Sequence, residues 1–490
     1  MHIPLDREGE TPLFRQIEAY LRENILAGNL LPETRLPATR KLAEQLGVSR
    51  ITVKNAYAEL ESDGLIGSQE GSGTFVMPPF SLPEGPGNDQ EIPWPLWQSE
   101  LKLEAGRLDP APLPRTSAGL ISFTGVGDPR RFPVSDFSKA MQRVIRRDGL
   151  AAMEYSDFNG GYPPLRRTIS HILASQGINT KAEEILITSG SQQSIALVCQ
   201  ALLRPGDTVL VEKPTYNFAL DLFRALQLKI VGVPVDDKGM QVGTLESYLQ
   251  KHHPRLLYTI PNFQNPSGTC MSAVRRRKLL ALAACYNLPI LEDDFVGDLR
   301  YEGRSQPAIK ALDPGGNVIY TGTFSKMLMP GLRVGYLAAQ GPVFRSLVHL
   351  KLVSDLTTST LIQRTLEEFV TIGRYQAHLR RSQRLYRSRR DAMLEAIHRY
   401  LPKEAQVFPP QGGLFIWLKL PGLISSLELL TYARKAGVDY APGRRFYPEP
   451  EEGDGYLRLN FATHTPEDIE AGIQRLGSAM KRMMVELPRM

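Results

Sequence analysis

The sequence predicts an α/β protein: a small N-terminal winged helix-turn-helix, a proline-rich connector, and a large domain built on a mostly parallel sheet. Three observations carry this expectation. Residues 1–77 hold three short amphipathic helical patterns followed by a two-stranded turn signature. Over 78–117 the periodicity disappears and prolines recur. Beyond that, short apolar runs alternate with helical patterns, as in a parallel sheet covered on both faces.

The first helix opens after Pro12, with Ile17, Leu21, Ile25 and Leu26 on one face, and stops at Gly28. A second spans 38–46, and Gly47-Val48 turns the chain. Ser49 is the N-cap of a third helix whose inner face is Val53, Ala56, Tyr57 and Leu60. Two helices joined by a short glycine turn make a helix-turn-helix. Leu65-Ile66 and Thr74-Phe75-Val76 flank a tight turn, which reads as a wing. The connector, 78–117, is a semi-rigid spacer in which Trp94 and Trp97 either dock on a neighbouring domain or belong to an unstructured tether.

The expected large domain fills 118–490. Strand-like runs at 184–188, 208–211, 255–259, 288–291, 318–321 and 332–337 define a large subdomain over about 185–345. The region from 346 to 490 changes to long charged helices with strands at 413–418 and 456–461, a smaller α+β subdomain that also takes the 118–184 segment. Thr465-Pro466 starts the last helix.

Composition narrows the partners. The chain of 490 residues has net charge +6, yet residues 1–80 hold eight Lys/Arg against eleven Asp/Glu, so that domain is acidic. Within 35–54, however, Arg35, Arg40, Lys41, Arg50 and Lys54 face only Glu44, a narrow basic stripe where a DNA footprint is expected. The charged start and the lack of a long uncharged apolar run predict cytoplasmic residence with no membrane partner. Three cysteines without CxxC spacing suggest neither disulfide framework nor metal site, and they read as buried thiols.

In open α/β sheets ligands gather at the carboxyl ends of strands. There the sequence places Ser191 and Gln192 at a helix start suited to a phosphate, then Tyr216 with an aromatic face, Asn265, Asp293, and Thr323 and Lys326 with Arg333 seven residues on. Taken singly these are turns, caps and surface charges. Together they match pyridoxal 5′-phosphate, which needs an amine, an acid at its ring nitrogen and a phosphate cradle.

Residues 118–490 resemble the fold-type I, class I/II aminotransferases, the PLP-dependent transferase fold. Residues 1–77 resemble the GntR winged helix in Leu36-Pro37-Ala38-Thr39-Arg40, Leu46-Gly47-Val48-Ser49-Arg50 and Gly71-Ser72-Gly73-Thr74-Phe75-Val76. Their fusion is similar to MocR/GabR-type regulators. The resemblance implies that Lys326 forms the Schiff base, Asp293 meets the pyridine nitrogen, Asn265 bonds the ring hydroxyl and Tyr216 stacks on the ring. It further implies that Ser191, Gln192, Thr323 and Arg333 hold the phosphate, with Tyr155 donated by a partner subunit of a homodimer, and that Arg458 clamps a carboxylate. Phe295 departs from the pattern: a tyrosine commonly stands there, and phenylalanine keeps the packing without the hydroxyl.

In the DNA-reading half, Arg50, Thr52, Lys54 and Asn55 lie off the apolar face of the third helix, capped by Ser49. Arg40 resembles a phosphate- or base-contacting arginine, and Gly71 at the wing tip allows close approach to a minor groove. The resulting expectation is a transcription regulator that binds an operator and senses an amino acid or amine through aldimine formation with the cofactor. Its rival is an active aminotransferase with an ancillary DNA-binding domain, Lys326 acting as general base. A receptor for the cofactor itself is a third reading.

Overall fold

The computed structural model describes residues 3–9, 11–69, 72–78, 119–125, 127–155, 157–422 and 424–486. Gly71, Trp94 and Trp97 lie outside these residues. The chain divides into two compact units, Met1–Arg107 and Leu108–Met490.

In the first unit, helices Leu13–Leu26, Thr39–Leu46 and Arg50–Ser62 enclose a core of Ile17, Leu21, Leu42, Val53, Ala56, Tyr57 and Leu60. Gly47, at φ 63°, ends the middle helix in the left-handed region that glycine adopts without strain. The wing strands Ile66–Gln69 and Gly73–Val76 pair antiparallel from Ile66 opposite Val76 to Gln69 opposite Gly73. A third strand unexpected from sequence, Arg35–Leu36, adds to the far edge of Gly73–Val76. Its two residues are too few to show an alternating pattern.

The second unit is built on an eight-stranded sheet. In spatial order its strands are Ile185–Thr188, Gly335–Ala338, Val318–Thr323, Ile290–Asp294, Leu256–Thr259, Thr208–Lys213, Lys229–Asp236 and Gly239–Met240. The five from Val318–Thr323 to Lys229–Asp236 run parallel. Their buried side chains, such as Leu257, Leu291 and Ile319, fill cores on both faces, as the continuous apolar runs predict. Lys229–Asp236 was not among the predicted strands. It alternates only weakly, and just Val233 is fully buried.

Two sequence expectations need correction. The run 332–337 is not one strand: Pro330–Leu332 forms a single tight turn, Arg333 sits at φ 51°, and the strand starts at Gly335 and runs antiparallel to both neighbours. Proline at the start of that turn and the left-handed residue after it stop an extended chain from forming earlier. Nor are all three cysteines buried. Cys199 is, Cys270 is partly so, and Cys285 is exposed at the solvent-facing end of helix Ala273–Cys285.

A four-stranded antiparallel sheet, Gln406–Val407, Phe415–Lys419, Tyr456–Asn460 and Ala441–Pro442, forms the smaller part with helices Arg374–Tyr400 and Pro466–Glu486. The segment Ile121–Ser122 pairs with Val438–Asp439, and the carbonyl of Phe123 accepts from the backbone N–H of Asn460. This carries Thr124 to the side of Arg458.

Candidate functional site

Sheet register decides which side chains meet. Gly335 pairs with both Thr323 and Thr188, so Arg333, the loop after Thr188 and the segment Thr323–Lys326 share one end of the sheet. Asp293, opposite Thr321 on the next strand, reaches the same end.

Asp293 is 2% exposed. Its Oδ2 accepts a hydrogen bond of 2.8 Å from Tyr258 Oη, while Oδ1 is buried with no partner among the described residues. Burial pushes the carboxyl up to about 7, against the opposing effect of the Tyr258 hydroxyl; Asp294 adds to the rise and Lys326 counters it. Lys326 is itself largely buried. Its amine is lowered to about 8, first by burial, then by the Arg458 and Arg333 guanidinium groups, with Asp293 pulling the other way.

Arg458, on Tyr456–Asn460, is 7% exposed and has no carboxylate partner among the described residues. Its Nη1 donates to Asn265 Oδ1 at 2.8 Å and its Nη2 to the Thr124 carbonyl at 3.4 Å, leaving Nε unsatisfied. The guanidinium lies over the Phe415 ring at 4.0 Å and near Phe446 at 4.9 Å. Burial lowers it to about 9, so it keeps its charge at neutral pH. A buried, uncompensated cation with a free edge attracts a carboxylate. The bond to Arg458 also fixes the Asn265 amide, turning its nitrogen into the donor left over.

Tyr216 caps helix Asn217–Ala225, half-buried and edge-on to Phe218 at 5.7 Å; burial, and then Asp293, raise its phenol. Phe295 is buried and stacked on Phe415 at 6.2 Å, so the aromatic at this position does serve packing.

At the sheet's other strand, Gly190 (φ 110°) leads into helix Ser191–Leu202. Arg333, exposed, donates from Nη2 to the Ser189 carbonyl at 2.7 Å and lies over Gly190, where a Cβ would come within 2.9 Å of it. Glycine is favoured here by its conformation, while the contact is with the movable end of Arg333. Free N–H groups of a helix start beside a guanidinium form an anion cup. Gln192 donates its amide nitrogen to the Phe218 carbonyl and leaves Oε1 buried and unpaired. The Thr323 hydroxyl is taken up by the Val334 carbonyl and the Ser325 N–H.

Sequence reasoning left out Tyr258 and Ser325. Tyr258 is a tyrosine in a fully buried strand, and a buried phenol needs a partner; that was the available signal. Ser325 Oγ is buried without a partner next to Lys326. Tyr155, by contrast, is 70% exposed and, among the aromatic rings of the described residues, touches that of Phe158 alone.

In the first unit Ser49 Oγ accepts from Thr52 N at 3.1 Å and contacts its hydroxyl at 2.8 Å, so both residues brace the start of Arg50–Ser62. Arg50, Lys54 and Asn55 are exposed on that helix, while Arg40 pairs loosely with Glu44 at 3.7 Å. Ile51, 70% exposed between Arg50 and Thr52, is an apolar side chain on the outer face that charge counting overlooks.

Residues 124–476 match the family model described as aminotransferase class I and II. Residues 13–76 match bacterial regulatory proteins of the gntR family. The chain is 31% identical to the uncharacterized HTH-type transcriptional regulator YisV of Bacillus subtilis (strain 168), over 98% of each chain. It is also 31% identical to the probable rhizopine catabolism regulatory protein MocR of Rhizobium meliloti, over 97% of this chain and 95% of that one. Among solved structures, the kynurenine aminotransferase of Pyrococcus horikoshii in complex with PMP is similar with a TM-score of 0.74 at 36% identity, covering 81% of this chain and 98% of that chain.

Proposed function

This chain belongs to the class I and II aminotransferase family and carries a gntR-family regulatory domain at its N-terminus, as MocR-type regulators do, and on that premise we propose a transcription regulator that holds pyridoxal 5′-phosphate on Lys326 and senses an amino acid or amine. The observation that carries this reading is the set of buried groups left without partners at one sheet end: Asp293 Oδ1, Ser325 Oγ and the Nε edge of Arg458. Groups of this kind cost free energy unless a ligand satisfies them.

The residues fit the cofactor. Asp293, braced by Tyr258, would accept from a protonated ring nitrogen, and Asn265 would donate to the ring oxygen. Tyr216 offers an aromatic face, and Gly190, Ser191, Gln192 and Arg333 surround the anion cup, with Gln192 offering its backbone N–H and Thr323 orienting Ser325. The bound cofactor supplies an aldehyde carbon at which the Lys326 amine and an incoming primary amine compete. Arg458 holds the carboxylate of an amino acid, which places that amine. Lys326, held near neutrality by burial and two guanidinium groups, releases and takes up protons at Nζ around physiological pH.

In the smaller domain Arg50, Lys54 and Asn55 face the operator, Ser49 and Thr52 hold the helix end, and Arg40 and Gly71 are further DNA contacts. The two modules span 1–77 and 118–490, in a cytoplasmic homodimer in which Tyr155 completes the neighbour's site. No helix among the described residues is long and apolar enough to cross a membrane.

The experiment adds a panel of amino acids and amines to the loaded protein, with and without a keto-acid acceptor. A spectral shift without turnover, coupled to altered operator affinity, is the expected result. Sustained multiple turnover with no effect on DNA binding would replace the regulator with an aminotransferase, and a response to cofactor alone would make the cofactor the signal.

A further inference from the structure

The N-terminal domain is acidic over residues 1–80, so the positive surplus of the chain lies elsewhere. A long part of it lies in helix Arg374–Tyr400, which has no acidic residue before Asp391 and contains Arg380, Arg381, Arg384, Arg387, Arg389 and Arg390. The structure sorts these arginines into two groups. Arg389 and Arg390 turn inward: Arg389 bonds Asp128 at 2.7 Å and Arg390 bonds Glu302 at 2.6 Å. Arg380, Arg381, Arg384 and Arg387 are exposed. Among the described residues no carboxylate comes within 4 Å of the first three, and Arg387 reaches only Glu302, at 3.6 Å and already held by Arg390. The acidic residues of the helix lie further along: Asp391 pairs with Arg390 and Glu395 with Arg399.

We propose that this arginine face is a second DNA contact, taking the phosphates of one strand while the winged helix reads the bases. Arg380, Arg384 and Arg387 stand at i, i+4 and i+7, within one narrow stripe of the helix, and Arg381 flanks it. Seven residues at about 1.5 Å each give a stripe of about 10 Å. One strand carries a phosphate about every 3.4 Å of duplex axis, so that length laid along the axis covers about three phosphate steps, one for each guanidinium group of the stripe. All four side chains are arginine, whose planar fork suits phosphate oxygens better than a point charge does. A domain tethered to an operator-bound reader needs little intrinsic affinity, because the tether holds it at high effective concentration. The inference rests on the reading that this chain binds DNA.

The test measures full-length, cofactor-loaded protein on a mixed-sequence duplex of about 60 base pairs by fluorescence anisotropy, between 50 and 200 mM salt, where phosphate contacts dominate. The variant R380Q/R384Q/R387Q is compared with K229Q/K251Q/K278Q, which removes the same charge from exposed lysines elsewhere. The expected result is a slope of log K against log salt about 2.7 smaller in magnitude for the arginine variant, at about 0.9 per phosphate, and nearly unchanged for the lysine variant. Retained cofactor absorbance verifies that both variants fold. Equal changes in the two variants would reduce the effect to net charge and overturn the proposal. So would an unchanged slope in the arginine variant. Failure of the unmodified chain to bind the duplex or any operator would instead remove the regulator reading, and this surface with it.

Discussion

Loading of Lys326 with pyridoxal 5′-phosphate should break near pH 8, and this is the sharpest quantitative consequence of the site. An ordinary lysine, with a pKa of about 10.4, has roughly one amine in 2,500 unprotonated at pH 7. With the amine lowered to about 8 by burial, Arg458 and Arg333, that fraction becomes about one in eleven, some 200-fold more nucleophile. The sign follows from which form reacts: the neutral amine attacks, so the rate rises about tenfold per pH unit below the break and levels above it. Arg458→Gln removes a cation near Lys326 and should move the break to higher pH. Asp293→Asn removes the counter-charge and should move it lower. Stopped-flow absorbance across pH 6.5 to 9.5 reads all three, with Lys326→Ala as the blank. A rate still climbing tenfold per unit at pH 9.5, or a break unmoved by Arg458→Gln, would refute the assignment of Lys326 to this electrostatic environment.

Other expectations follow from the same geometry. Tyr258→Phe removes the one donor that Asp293 has among the described residues, a charge-assisted bond worth about 1.5–3 kcal/mol, and should weaken cofactor binding by roughly 10- to 150-fold in equilibrium dialysis; an unchanged Kd would show that Asp293 needs no brace. Arg458→Gln should cost α-amino acids a similar factor while leaving simple amines nearly unaffected, read as a ratio of spectral Kd values; equal losses for both would argue against a carboxylate clamp. Arg50→Ala should weaken operator binding by about 1–3 kcal/mol if it reads a base, and a uniform loss across operator variants would reassign it to the backbone. Ser49→Ala removes the cap on Thr52 and should lower the stability of the small domain by about 0.5–2 kcal/mol, followed by its thermal transition.

Much of this was legible in the sequence because the relevant signals are local. Ser49 caps its helix, Gly47 turns left-handed, and strand ends in a parallel sheet collect ligands wherever the strands fall, so Lys326, Asp293 and Asn265 could be grouped before any coordinates. Less local features were read incompletely. The run 332–337 looked like one strand because its apolar pattern hides the left-handed Arg333, and Arg333 owes its place over Gly190 to that bend. Cys285 reads as buried only because free cysteine is among the most buried residue types, whereas this residue faces outward.

By itself the sequence determined the order of the modules, the class of fold and the cofactor it suits, all of which depend on residue type and spacing along one chain. Only the tertiary structure decided which polar atoms find partners. Tyr258 and Asp293 meet across neighbouring strands, and Arg458 reaches Asn265 from the smaller sheet, 193 positions away. The same folding neutralises Arg389 and Arg390 but leaves Arg380, Arg381, Arg384 and Arg387 in water. Six arginines that are equivalent in a charge count thus become internal ties or a surface for phosphates, because an ion pair depends on distance and burial, and neither is written in the order of residues.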